Sequence, residues 1–246
     1  MRVLALSGGA AFGAYQVGAW RALAEAGWKP DVIVGISIGA VNGYLFSRGV
    51  GLAELEGLWL EEAGRVVESG GWLESRRFRA WVGLIEERYS ARPRVCGYRA
   101  VAMEVPGFRA RVMSEVGAQE LLGACALPGV LWPVRSGAGW LVDCGVVRHL
   151  PLREAVEVGG TEIVCVDLMA HHPVVGARRM KRIVQRAYGK LFGEDGWEMG
   201  RVKVVKIQHD RVLGSAFEAF RWSTAFTERM IRCGYEDADR VCRTFG

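Results

Sequence analysis

Asparagine is all but missing from this chain: Asn42 is the only one in 246 residues. Lysine is scarce too, supplying 5 of the 32 basic residues. Both biases fit a GC-rich coding composition and carry no function by themselves. With only 7 prolines, 24% charged residues and 50% hydrophobic ones, the chain is neither disordered, collagenous nor a coiled coil. The six cysteines (Cys96, Cys125, Cys144, Cys165, Cys233 and Cys242) form no C-x-x-C pair and have no histidine at zinc spacing. Neither a metal site nor a disulfide framework is expected, and a cytoplasmic, reducing setting fits. A long apolar run is missing as well. Residues 3–20 are uncharged, but Ser7, Gly8, Gly9, Gly13, Gln16 and Gly18 interrupt them, so neither a signal peptide nor a membrane span is expected there. The net charge of +5 is too small for a nucleic-acid coat, and no nucleic-acid-binding motif is present.

What is there alternates between strand and helix patterns. Residues 3–6 read as a buried strand, closed by Ser7-Gly8-Gly9 and followed by a helix over 14–26 that Gly27 stops. Residues 32–36 read as a second strand, and Ser37 sits where it turns into a helix over 39–47. Further helices are expected at 76–88, 118–125, 174–191, 215–230 and 235–243. Strands are expected at 100–105, 109–113, 163–168 and 202–207, with a hairpin at 134–135 and 140–143. No repeat or linker divides the chain, so the expectation is one α/β domain over 1–246, with a central mostly parallel sheet flanked by helices.

Three patches carry chemistry. Gly35-Ile36-Ser37-Ile38-Gly39 is a G-x-S-x-G pattern between a strand and a helix, where glycines at both ends permit the sharp turn that lifts a serine hydroxyl above a sheet. Gly8, Gly9 and Ala10 lie in a glycine-rich strand-to-helix loop whose N–H groups suit an anion, and no Walker lysine follows. Asp143 closes an apolar strand just before Cys144-Gly145, a position where a turn-forming role and a catalytic one are both open.

Together, in this order and spacing, the three patches resemble the patatin-like phospholipase family, which has a glycine-rich oxyanion loop, a G-x-S-x-G elbow and a later D-G-[GA] motif. The likeness extends through Ala126-Leu127-Pro128-Gly129-Val130 and through Val146-Val147-Arg148-His149-Leu150-Pro151, covering about residues 3–170. It implies a patatin-like fold and a serine lipid acyl hydrolase working through an acyl-enzyme, with Ser37 as nucleophile and Asp143 as its proton acceptor. It also implies an oxyanion hole at Gly8, Gly9 and Ala10, with no metal or other cofactor. Three positions depart from the family. Ala10 stands for a loop glycine and Cys144 for the glycine after the acid. Phe12 stands where the family usually has Arg, which shifts the expected substrate from a phospholipid toward a neutral ester, lipid or acyl thioester.

Two rival readings stay open. A non-catalytic lipid- or anion-binding module could retain the scaffold. A triad of Ser37, Asp143 or Asp167, and His209 would follow the chain order of an α/β-hydrolase. Peripheral membrane contact is expected of two segments, which resolve the net charge into local parts. Residues 72–99 carry seven Arg against three Glu with Trp72, Phe78, Trp81, Tyr89 and Tyr98 between them, and residues 171–192 carry six basic residues and no acid.

Overall fold

The computed structural model describes residues 1–63, 75–137, 139–171, 201–215, 218–220 and 222–245. The helix expected at 174–191 and the basic segment 171–192 lie outside the described residues, apart from His171. Eight strands form one sheet: β1 (Arg2–Leu6), β2 (Val32–Ile36), β3 (Gly97–Val105), β4 (Arg109–Met113), β5 (Val134–Ser136), β6 (Gly139–Val142), β7 (Glu162–Val166) and β8 (Lys203–Ile207). Their order is β5-β6-β3-β2-β1-β7-β8, with β4 also on β3. From β3 to β8 all neighbours are parallel, and the antiparallel pairs are confined to β3-β4, β3-β6 and β5-β6.

The parallel strands are apolar on both faces because both faces are covered. Leu4, Leu6, Ile33, Val164, Val166 and Ile207 pack into the larger core, beneath α1 (Ala14–Glu25), α2 (Ile38–Ser47) and residues 58–63. Val3, Ala5, Val34, Ile36, Ile163 and Cys165 face the other way, against Cys144 and Ala155. Two short helices, α3 (Leu52–Gly57) and α6 (Leu152–Glu157), flank the longer α4 (Ser75–Tyr89) and the seven-residue α5 (Ala118–Ala124) in chain order.

Two expectations change here. The helices expected at 215–230 and 235–243 are replaced by one, α7 (Thr224–Cys242), which runs unbroken through Gly234. Gly234 does not break the helix, because it is where α7 crosses α1 backbone to backbone. A Cβ on Gly234 would lie 1.9 Å from the Tyr15 carbonyl oxygen, and one on Gly18 would lie 1.9 Å from that of Ile231. The second change concerns residues 72–99, of which Trp72 lies outside the described residues. Trp81, Val82, Ile85, Tyr89 and Tyr98 are buried, with Trp81 edge-on to Trp59 and Trp222, so these aromatics build the core instead of facing lipid. Their spacing along α4 is that of one helical face, and the arginines occupy the others.

The crossing of α1 and α7 also carries a polar latch. Buried Asp237 accepts hydrogen bonds from the Tyr15 hydroxyl (2.7 Å) and pairs with His209 Nδ1 (2.8 Å) and Arg240. Because the glycine contacts leave no room for a methyl group, Gly18→Ala is expected to destabilise the protein by about 3 kcal/mol or more. Urea unfolding measures this. A change within about 0.5 kcal/mol, the scale of an ordinary surface substitution, would mean the helices can separate freely.

Candidate active site

Ser37 joins β2 to α2 with φ 55° and ψ −130°, a conformation that a non-glycine residue holds only when its surroundings force it. The flanking glycines show what forces it. A Cβ on Gly35 would lie 2.2 Å from the Gly39 carbonyl oxygen, and one on Gly39 would lie 2.5 Å from that of Leu6. The turn is therefore wedged between its own far side and the end of β1, and no residue with a side chain fits at either end.

Strand register brings Asp143 to this turn. On β3, residues 100–104 pair with β4 along one edge. A strand edge carries one ladder at a time, so β2 and β6 share the other edge, end to end. β2 runs up it to the Ile36–Val101 pair, and β6 runs down it to the Val142–Met103 pair. The two chains meet head-on at the level of Ala102, where one leaves as Ser37 and the other as Asp143. Asp143 is buried, at 4% exposure, and its Oδ1 accepts the Gly145 N–H at 2.7 Å. Burial pushes its pKa up from 3.8 to about 6, opposed by the nearby Ser37 hydroxyl and by the Gly145 N–H, which favour the ionised form.

The glycine loop lies against the same serine. A Cβ on Gly8 would come within 3.0 Å of the Ser37 Cβ, and one on Gly9 within 2.8 Å of Leu168. The Gly8 N–H, however, donates to the His149 carbonyl at 2.8 Å, so it is engaged in holding the loop and is not one of the amides open to an anion. Among the described residues, no acceptor takes the N–H of Gly9 or Ala10. Ala10 has φ 50°, the left-handed region that its family glycine would occupy without strain. Phe12 points away from the site, buried beside Phe226 at 5.8 Å between ring centroids, so this position serves the core.

Several residues matter here that the motifs did not mark. Asn42 and Gln16, both fully buried, tie the elbow helix to the glycine loop. The Asn42 amide donates to the Gly13 carbonyl and to Gln16 Oε1, each at 2.9 Å, and its Oδ1 accepts from Trp59 Nε1 at 3.0 Å. Gln16 Nε2 then donates to the Ser7 carbonyl at 2.8 Å. Ser7 Oγ accepts the Leu168 N–H at 2.8 Å, fixing the loop to the end of β7. The Cys125 thiol is buried beside Ser37 and Asp143; burial and the carboxylate push its pKa up, while a hydrogen bond with Ser37 opposes the rise. The only sequence signal for Cys125 is its place directly ahead of the Ala126–Val130 stretch, whose first carbonyl accepts the Asp143 N–H at 2.9 Å.

The histidines are placed elsewhere. His209 pairs with Asp237, and His149 Nε2 lies 3.3 Å from Asp167 Oδ1. Among the described residues, neither is hydrogen-bonded to Ser37.

A strained serine turn, a buried carboxyl and a glycine loop at the ends of parallel strands define the class of site found in serine hydrolases. Residues 4–95 match the family model of patatin-like phospholipases, which spans the loop and the serine turn. Over 63 residues, 26% of this chain, the sequence is 46% identical to lysophospholipase nte1 of Aspergillus terreus, a match covering 4% of that protein's length. The fold is similar to that of VipD from Legionella pneumophila, with a TM-score of 0.55 and 11% identity over 99% of this chain and 66% of that one. The resemblance read from the motifs thus holds over residues 4–95 in sequence, and the similarity to VipD is one of fold alone.

Asn42→Ala is expected to lower stability by about 3 kcal/mol or more, because it leaves the Trp59 N–H, the Gly13 carbonyl and Gln16 Oε1 without their partner in a dry core. Equilibrium denaturation reads the loss. Wild-type stability in the variant would show that water replaces the amide.

Proposed function

We propose that the protein is a serine lipid acyl hydrolase, a single domain over 1–246 that cleaves a carboxylic ester through Ser37 and Asp143. One observation supports this most: Ser37, held at a positive φ, sits against a buried carboxyl whose pKa stands at about 6 even though the serine hydroxyl favours its ionised form. Asp143 is then ionised at neutral pH and a stronger base than an ordinary carboxylate. In this reading Asp143 takes the Ser37 proton as the oxygen attacks the ester carbonyl. The carbonyl oxygen gains the negative charge and sits against the N–H groups of Gly9 and Ala10, with Gly8 as the close-fitting residue that lets the loop approach. Collapse expels the alcohol, which leaves with the proton from Asp143. Water then attacks the acyl carbonyl as it gives a proton to the same carboxylate, and Asp143 returns that proton to the Ser37 oxygen as the acid leaves.

A fluorophosphonate probe followed by peptide mapping is expected to label Ser37 in the folded protein and to leave Ser37→Ala unlabelled. Absence of labelling in folded wild-type protein would favour a binding module over an enzyme.

Asp143 also makes a signed prediction. Its carboxyl must be ionised to act as a base, so kcat/KM for a soluble short-chain ester is expected to rise with pH through about 6. Because its folded pKa lies above the ordinary value, ionisation costs the folded state. That cost is absent below about pH 4 and complete above about pH 6. Asp143→Asn is therefore expected to abolish hydrolysis while raising stability at pH 7 by about 1–3 kcal/mol. Retained hydrolysis in Asp143→Asn, with loss in His209→Ala, would replace the dyad with the triad.

A further inference from the structure

Two stretches of chain hold the glycine loop from outside it. One is the end of β7, where the Val166 carbonyl accepts the Ser7 N–H at 3.2 Å and the Leu168 N–H donates to Ser7 Oγ at 2.8 Å. The Leu168 side chain also lies against Gly9, within 2.8 Å of where a Cβ there would stand. The other is the stretch between Asp143 and α6, whose His149 carbonyl accepts the Gly8 N–H at 2.8 Å. Ser7, Gly8 and Gly9 are therefore each held by one stretch or the other. The second stretch also leads directly from the acid. It leaves Asp143 through a tight turn in which the Cys144 carbonyl accepts the N–H groups of Val147 (3.0 Å) and Arg148 (2.8 Å), and the Arg148 guanidinium pairs with the buried Glu154 carboxylate.

The His149 ring joins the two stretches. Its Nε2 lies 3.3 Å from Asp167 Oδ1, and because a carboxylate oxygen only accepts, Nε2 carries the hydrogen of this contact. Asp167 is a firm anchor. It is 7% exposed, its N–H donates to the Ile207 carbonyl at 2.9 Å, its Oδ1 also accepts the Met169 N–H at 3.0 Å, and its neighbour in the chain is Leu168. A single amide bond to Gly8 fixes a surface loop weakly, since water competes for both of its partners. A ring tied to β7 takes away the freedom of the His149 backbone to swing off that bond. The ring itself is 26% exposed, so it adds little to the core and its place is better explained by what its backbone holds.

We propose that His149 is a positioning residue for the glycine loop: its ring, tied to Asp167, locks the His149 carbonyl onto the Gly8 N–H and so keeps the N–H groups of Gly9 and Ala10 aimed at an ester oxygen on Ser37. The consequence for catalysis rests on the hydrolase reading, but the hold on Gly8 can be measured with no substrate present. Donors of this kind lower the barrier only while they are aimed, and a displacement of about 1 Å costs up to about 100-fold in rate. His149 thus acts through the loop and not as a base.

The test pairs steady-state hydrolysis of a soluble short-chain ester with amide hydrogen exchange at Gly8, on the full chain. His149→Ala keeps the carbonyl and removes the ring. It is expected to lower kcat by about tenfold or more with KM within about twofold, and to speed Gly8 exchange by about tenfold, while the urea midpoint stays near that of the wild type. His149→Gln, whose amide N–H reaches the place of Nε2, is expected to restore both kcat and Gly8 protection to within about threefold. If ring and carboxylate act as one link, adding His149→Ala to Asp167→Ala lowers kcat no further than Asp167→Ala alone. The proposal is overturned if His149→Ala keeps wild-type kcat and Gly8 exchange, if glutamine restores neither, or if the two alanine substitutions add. It is overturned equally if the loss falls on KM, if kcat falls while Gly8 exchange is unchanged, or if exchange quickens throughout the sheet, since the ring would then serve the substrate or the whole fold. If folded wild-type protein cleaves no ester but Gly8 exchange follows the ring as expected, the hold on the loop stands and the hydrolase reading falls.

Discussion

The arrangement depends on a pair of buried amides. Two strand-to-helix turns, one ending β1 and one ending β2, have to lie so close that a Cβ on Gly8 would press on that of Ser37 at 3.0 Å. Apolar packing alone would hold them together but would let them slide, since dispersion has little direction. Asn42 and Gln16 supply direction. One amide reaches from the elbow helix to the carbonyl of Gly13, the other from α1 to the carbonyl of Ser7, and the two bond to each other. In a dry interior such a network is stable in one arrangement, because every shifted register leaves a polar group unpaired. The positive φ of Ser37 persists on the same terms, as a local strain that its surroundings over-determine.

A second constraint acts across the sheet. Ser37 and Asp143 are far apart in sequence, yet no long loop is needed to join them. β2 and β6 travel toward each other along one edge of β3 and run out at the same level. The gap between two strand ends is where side chains can turn in from the backbone, and also where bulk water is excluded by the neighbouring ladders. This explains how a carboxyl can be buried enough to titrate near 6 while still reaching a hydroxyl. The antiparallel extension thus brings Asp143 to the serine turn at the lower end of β6.

Much of this was legible in the sequence, and the rest was not for identifiable reasons. The apolar runs of β1, β2 and β7, the glycines at 35 and 39 and the acid at the end of β6 are local patterns, and local sterics and hydrogen bonding explain them. Asn42 carries no local pattern. Its partners lie on α1, on the turn before it and at Trp59, so its rarity reads as composition until the fold brings them together. The aromatics of α4 were legible in principle: 81, 82, 85 and 89 mark one face of a helix. The arginines among them occupy the other faces and mask that pattern. Gly234 is the reverse case, a local helix-breaker retained inside α7 because the backbone of α1 passes against it.

These features also share a common economy. Ser37 and Ala10 both hold positive φ, which for a residue with a side chain costs roughly 1–3 kcal/mol each, and Asp143 is buried with a raised pKa. All three destabilising features sit at one rim of the sheet, and none is needed for the fold itself. The opposing terms lie just behind them: the glycine-tight crossing of α1 and α7, and the Tyr15–Asp237–His209 latch that closes it. Since α1 begins where the glycine loop ends, clamping α1 fixes the loop from behind, as the amide pair fixes it from the side. A loop held on two sides can keep strained residues and open N–H groups in place before any substrate arrives, which is the condition for stabilising charge without reorganisation.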